Sequence, residues 1–221
     1  MLMNNRIFWL VIILSVLTIG FSSCAKDTEV ADPYANWKER NEHFIDSIAD
    51  VADNPPSGEI WRKYENYKIK FQDEINNPMK PYDYQVHDYV YVKYAKEEDI
   101  FDGSEPLINF GDTVSMAYQG FIINGTRFDG NYYGTFDKEV TDNFTNSGIA
   151  ENNDIRYVVG WTTALMHMKP DMSDKATVYI PYQMGYGEQN RSDVIRPYST
   201  LIFEMYIDEV IHPYETSNSD N

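Results

Sequence analysis

The chain has 221 residues, with 18 Lys and Arg against 35 Asp and Glu, for a formal charge of -17. Such a balance repels phosphate and excludes a nucleic-acid partner, while acidity by itself speaks for solubility rather than for any chemistry. The aromatic fraction is 15%, with 18 tyrosines, and a ring with one polar tip suits strands and half-wet binding surfaces.

After Met1–Arg6 the run IFWLVIILSVLTIGF (7–21) is continuously apolar. It has the length of a signal-peptide core and is short for a spanning helix. It ends in FSSC, where Cys24 is the one cysteine of the chain. A lone cysteine after small residues at that place resembles a bacterial lipobox, which implies a signal peptide over 1–23 and acylation of the Cys24 thiol. Acyl chains hold a protein at a membrane by burying CH₂ groups. The following CAKDTE resembles the short surface-export signals of Bacteroidetes lipoproteins, and it reads equally well as a solvated linker.

From Asp32 to Ala52 the period becomes helical, with Trp37, Asn41, Phe44, Ile45, Ile48 and Ala52 on one stripe and Pro33 at the start. The stripe is long enough to pack on the rest of the chain or on a second copy through helix 33–52. NPPSG (54–58) ends it. WRKYENYKIKFQDEINN carries no clear period, and NPMKPYDYQ (77–85) is a proline-punctuated connector.

From Asp88 the period is two. DYVYVKYA (88–95) predicts a strand. GDTVSMAYQGFIINGTRFDG (111–130) predicts a hairpin around Asn124–Gly125, a pair suited to a type I′ turn. Loop sequence fills most of 130–153, residues 155–161 read as extended, and 161–168 as a short helix with Trp161, Leu165 and Met168 on one side. KATVYIP (175–181) and STLIFEMYIDEVI (199–211) predict strands, and the polar tail 214–221 predicts disorder. Several strands with one short helix among them make an α+β domain, the helix covering one face of the sheet.

Six motifs then stand in order: Y-x-G at Tyr118, G-x-x-F-D ending at Phe128–Asp129, V-x-G-W at 158–161, a helix ending in Met168–Lys169, Y-x-x-x-Y-G at 182–187 and S-T-L-I-F at 199–203. This order resembles the FKBP family of peptidyl-prolyl cis-trans isomerases, over about 88–211. The upstream helix followed by the DYVYVKY strand is also similar to a group of Bacteroidetes FKBP-like lipoproteins. The resemblance implies an antiparallel half-barrel around one helix, an aromatic pocket, no cofactor, and proline-containing polypeptide clients. Rotation about an X-Pro amide crosses a barrier of roughly 18–20 kcal/mol set by resonance. A water-poor aromatic cup that holds the amide twisted is enough to lower it, without nucleophile or metal.

By motif, the resemblance assigns Tyr118, Phe128 and Asp129 to the pocket wall and its carboxylate, and Trp161 to the floor under the prolyl ring. It assigns Tyr186 to the rim hydroxyl and Phe203 to the far wall. Val158 would hold the substrate chain through its N–H, with Val159 beside it, and Ile195 would lie on the rim. Taken singly each apolar member packs a core as readily, and Asp129 suits a turn cap. The sequence departs from the family before the tryptophan motif, where TDNFTNSGIAENNDIRYVVGW replaces F-x-F-x-L-G; Phe144 or Phe136 is the candidate for the missing aromatic. No arginine follows the F-D motif. His43, His87, His167 and His212 lack ligand spacing, so no metal site is expected, and His167 reads as a surface or cap residue.

Together these readings divide the chain into a signal peptide (1–23), a helical extension and linker (24–84), an FKBP-like domain (85–213) and a tail (214–221). A lipid-anchored isomerase at the bacterial outer membrane is the leading expectation. A non-catalytic binding module on the same fold is the alternative, and a glycan-binding surface rests on aromatic abundance alone.

Overall fold

A computed structural model describes residues 32–76, 81–101, 103, 106–140, 145–148 and 157–212. The segment 1–23 expected to be a signal peptide, Cys24, Phe144 and the tail 214–221 lie outside them. The chain divides into a unit over Met1–Ala35 and a unit over Asn36–Asn221, and the second carries every element below.

The elements run α1 (Trp37–Asp53), β1 (Ile60–Glu65), α2 (Tyr67–Asn76), β2 (Tyr89–Tyr94), β3 (Thr113–Ile122), β4 (Arg127–Gly130), β5 (Thr145–Gly148), α3 (Val159–Leu165), β6 (Ala176–Ile180) and β7 (Leu201–Ile211). The strands form one sheet in the order β1-β2-β6-β7-β3-β4, with β5 also on β3. All its pairings are antiparallel.

Strand alternation decides which helix covers which face. Val90, Val92 and Tyr94 of β2, with Ala176, Val178 and Ile180 of β6, join α3 in the main core. Tyr89, Tyr91 and Tyr179 point the other way and meet Phe44, Ile45, Ile48, Ala49 and Ala52 of α1. The two helices therefore lie on opposite faces of the sheet. The expected stripe of α1 is covered by the chain's own sheet, and burying a side chain such as Ile45 contributes about 1.5–3 kcal/mol. Its polar members are also spent internally. Trp37 Nε1 donates to Ser199 Oγ at 3.0 Å, and Thr200 N donates to Asn41 Oδ1 at 2.7 Å.

Four expectations change. The helix starts at Trp37 rather than Pro33, because Asn36 sits at φ 50°, ψ 41° in the left-handed region. The stretch without a clear period is a strand and a helix, and β1 pairs along its whole length with β2. The hairpin is not type I′: only Gly125 has positive φ (81°). Gly125 N donates to Ile122 O at 2.8 Å and Ile122 N to Thr126 O at 3.0 Å, the geometry of a type I turn closed by a left-handed glycine. Finally, part of the expected 130–153 loop is β5, which meets Thr113–Met116.

Candidate active site

The sheet turns two adjacent residues of β4 toward one place. Gly120 lies opposite Asp129 and Phe121 opposite Arg127, so Phe128 is one residue in excess at a β-bulge. Neighbours on a regular strand face opposite ways, and a bulge re-aims one of them. Phe128 thus packs on Phe203 (ring centroids 5.4 Å, interplanar 83°), while Asp129 Oδ2 accepts the Tyr118 hydroxyl at 3.2 Å. Gly120 makes room, since a Cβ there would stand 2.7 Å from Phe128 Cζ and 2.8 Å from Phe203 Cε1.

Trp161 enters from α3. Its ring meets Phe203 at 4.9 Å and Tyr118 at 5.3 Å, both edge-on (79° and 81°), an arrangement favoured by the ring quadrupole. The glycine before it, Gly160, lies within the helix. A Cβ on Gly160 would come 2.3 Å from Ile180 Cγ2, so this glycine lets α3 lie close on β6 and sets the depth of the Trp161 ring. Residues 159 and 160, expected to be extended, belong to the helix for the same reason. Val158 precedes it in extended conformation (φ -74°, ψ 152°), and among the described residues its N–H has no acceptor.

Five expected residues, Tyr118, Phe128, Asp129, Trp161 and Phe203, therefore converge from four elements. Trp161 and Phe203 are the deepest of them, 6% and 5% exposed. Burial, and then the Asp129 carboxylate, pushes the Tyr118 hydroxyl up to about 12, so it stays protonated and donates at neutral pH. Val158, Val159, Tyr186 and Ile195 share the apolar cluster with these rings. Tyr186 comes from the connection before β7, with the Arg191 guanidinium 4.9 Å over its ring, and no ring contact joins it to the five among the described residues.

Two expectations are corrected and two residues are added. Phe136 is no pocket aromatic: it stacks on Tyr206 at 4.7 Å and meets Tyr132 at 5.6 Å. His167 is not a surface residue. It is half-buried and stacked on Tyr64 at 4.1 Å with an interplanar angle of 4°, and burial, reinforced by Lys70, lowers its pKa to about 4. Tyr157 was missed: its ring lies over Trp161 at 6.4 Å and 23°, and its place directly before VVGW was the available signal. Asn131 was missed too. It takes the Tyr118 N–H on Oδ1 at 2.8 Å and donates through Nδ2 to Met116 O at 2.9 Å, which fixes the β3 backbone behind the cup.

Arg127 precedes the F-D pair and turns from its carboxylate, donating to Tyr132 O at 3.1 Å with its guanidinium 4.1 Å over the Tyr133 ring. Among the described residues no group of three His, Cys, Asp or Glu is placed to hold a metal ion. A surface cavity of about 300 Å³ lies elsewhere, between α1 and the 182–184 turn, lined by residues such as Glu42, Asp46 and Tyr182. None of the converging rings lines it. The cup is the chemically coherent site, because its rings and carboxylate meet in one place.

The sequence pattern of the family described as FKBP-type peptidyl-prolyl cis-trans isomerase matches residues 105–208, a span that holds every member of the cup. The chain is 31% identical over 118 residues to an FK506-binding protein of Neisseria meningitidis, covering 53% of this chain and 94% of that one. It is 35% identical over 104 residues to the peptidyl-prolyl cis-trans isomerase Mip of Coxiella burnetii, covering 47% of this chain and 38% of Mip. A solved peptidyl-prolyl cis-trans isomerase of Pseudomonas syringae aligns over 82% of this chain and 98% of its own, at a TM-score of 0.46 and 16% identity. That likeness is too loose to add to the case. The chain belongs to the FKBP-type peptidyl-prolyl cis-trans isomerases, a family of enzymes.

Proposed function

We propose that this chain accelerates cis–trans isomerisation of X-Pro bonds in exported polypeptides, in the cup floored by Trp161. The observation that carries the reading is the convergence of Tyr118, Phe128, Asp129, Trp161 and Phe203 on one place. The prolyl ring rests on the Trp161 face between Phe203 and Phe128. The open Val158 N–H donates to a carbonyl of the client chain, and the Tyr186 hydroxyl donates to another. Tyr118 orients Asp129 toward the twisted amide. Apolar walls keep water from the amide oxygen, which removes the solvation that favours the planar dipolar form. No bond to the protein forms or breaks, and each tenfold acceleration corresponds to about 1.36 kcal/mol of barrier.

The client class follows from the slow step that such a site can relieve, because uncatalysed X-Pro isomerisation takes about 10–100 s and limits folding. The exported setting and the lipid anchor at Cys24 are supported by the apolar run ending in FSSC. Exchange spectroscopy on a proline-containing peptide tests the activity, and exchange at the uncatalysed rate would sink the reading. Palmitate labelling in cells tests the anchor: label should enter the wild-type chain, and label retained by Cys24→Ser would refute it.

A further inference from the structure

Covering the sheet does not explain the beginning of α1. Ile45, Ile48, Ala49 and Ala52 meet the sheet tyrosines, but Trp37 and Asn41, 8% and 0% exposed, meet the 181–200 connection between β6 and β7. A buried amide costs free energy unless it is hydrogen-bonded, and both ends of this one are. Asn41 Oδ1 accepts the Thr200 N–H at 2.7 Å, and Nδ2 donates to Trp37 O at 2.7 Å. Trp37 Nε1 donates to Ser199 Oγ at 3.0 Å. On the other limb of the same connection, the Tyr182 hydroxyl donates to Glu42 Oε1 at 3.3 Å. Thus α1 grips both limbs of one long loop, from outside the part of the chain that carries the family's motifs.

Tyr186 and Ile195 lie between the two limbs, in the apolar cluster that holds Trp161 and Phe203. Gly187, next to Tyr186, has both backbone groups tied: its N–H donates to Tyr182 O at 2.8 Å, and its carbonyl accepts the Tyr198 N–H at 2.9 Å. Tyr198 sits at φ 65°, in the left-handed region where a Cβ is crowded. Such a conformation persists only where its surroundings over-determine it. Those surroundings belong largely to α1. Ser199 and Thr200, bonded to the helix, follow Tyr198 directly. Lys38 Nζ stands 4.9 Å over its ring, and the Tyr182 ring meets it edge-on at 5.3 Å.

We propose that the beginning of α1 is a positioning device for client binding: Trp37 and Asn41 hold the 181–200 connection so that Tyr186 and Ile195 stay against the cup. The inference rests on the isomerase reading. The helix lies on the sheet face away from α3, so it acts through the loop and not on the client. What it sets is the fraction of molecules whose rim is in place when a chain arrives. A smaller competent fraction weakens apparent affinity in proportion. Twisting of an amide already bound depends on Trp161, Phe203 and Asp129 and is left alone. Loosening the grip therefore raises KM and spares kcat, whereas a helix that served packing alone would change stability and neither constant.

The test uses the full chain and NMR line-shape titrations with a short X-Pro peptide, which separate KM from kcat. Asn41→Leu removes the acceptor of the Thr200 N–H at similar side-chain volume. It should raise KM about fivefold, as when the rim is in place in about a fifth of the molecules, with kcat unchanged. Hydrogen exchange at the Gly187 and Tyr198 amides should quicken in parallel. Trp37→Phe is milder: it keeps a ring, loses the bond to Ser199 and carries the test if Asn41→Leu does not fold. It should act in the same direction, and Ser199→Ala should add little to it, because both remove one bond. Ile45→Ala is the stability control, since it weakens the packing of α1 on the sheet; it should lower Tm with KM unchanged. Wild-type KM and wild-type amide exchange in Asn41→Leu and Trp37→Phe overturn the proposal. So does a fall in kcat without a rise in KM, or a rise in KM for Ile45→Ala equal to theirs. If wild type catalyses no peptide exchange, the isomerase reading falls, and the peptide's Kd together with amide exchange still decides whether α1 sets the rim.

Discussion

Replacing Gly120 by alanine isolates the packing of the cup. The new methyl would stand 2.7 Å from Phe128 Cζ where ordinary contact begins at 3.4 Å, a shortfall of about 0.7 Å against two rings. Gly120 has no positive φ, so the backbone accepts alanine and the misfit falls on Phe128 and Phe203. Overpacking of this kind costs about 1–3 kcal/mol, enough to lower Tm by several degrees in a protein of this size. The displaced rings are the cup's own walls, and kcat/KM on a proline peptide should fall at least about tenfold, or about 1.4 kcal/mol of transition-state stabilisation. Gly125→Ala is the matched control. Gly125 has φ 81° and open space around its missing Cβ, so alanine there costs about 1–2 kcal/mol through the backbone alone and leaves the cup untouched. Denaturant midpoints and peptide exchange on both variants decide the matter. If Gly120→Ala keeps wild-type catalysis, or if the two variants lose catalysis equally, ring placement by Gly120 does not shape the site.

Tyr118→Phe removes the hydroxyl that orients Asp129 and should lower kcat/KM by roughly fivefold, in line with one hydrogen bond of about 1 kcal/mol, with Tm little changed; a drop in Tm with full activity would contradict the assignment. His167 makes stability pH-dependent. Burial holds it at about 4 in the folded chain, below the ordinary histidine value of 6.5, so between these limits the unfolded chain binds more protons. Stability therefore falls as pH drops from about 6.5 to about 4 and levels below. The half-buried ring limits the loss to roughly 1–3 kcal/mol. Urea titrations at about pH 7 and about pH 4.5 should show a steeper loss for wild type than for His167→Gln, and equal losses would refute the attribution.

The sequence-readable part of the fold was the part where one period runs long enough. β2, β6 and β7 alternate over five to eleven residues, and α1 carries its stripe over 17. β1 escaped notice because adjacent Arg62 and Lys63 separate Trp61 from Tyr64 and break the period of two in a six-residue strand. β5, TNSG, has no apolar residue at all and owes its strand to pairing with β3. In the site, motif order located Tyr118, Phe128, Asp129, Trp161 and Phe203, but it left the reason for their meeting hidden. The bulge that turns Phe128 and Asp129 the same way, and the space reserved at Gly120 and Gly160, are tertiary facts. His167 was misjudged because its stacking partner Tyr64 lies about a hundred residues away and leaves no mark on local spacing, whereas Tyr157 stands four residues before Trp161, where the local sequence did carry a signal.

The most direct measurement is cis–trans exchange of a short X-Pro peptide with wild type and with Trp161→Leu, each checked for folding by circular dichroism. Wild type should accelerate exchange, and a folded Trp161→Leu should lose at least about tenfold in kcat/KM, because the floor under the prolyl ring is gone. Exchange at the uncatalysed rate with wild type, or undiminished acceleration by Trp161→Leu, would contradict an isomerase working through this aromatic cup.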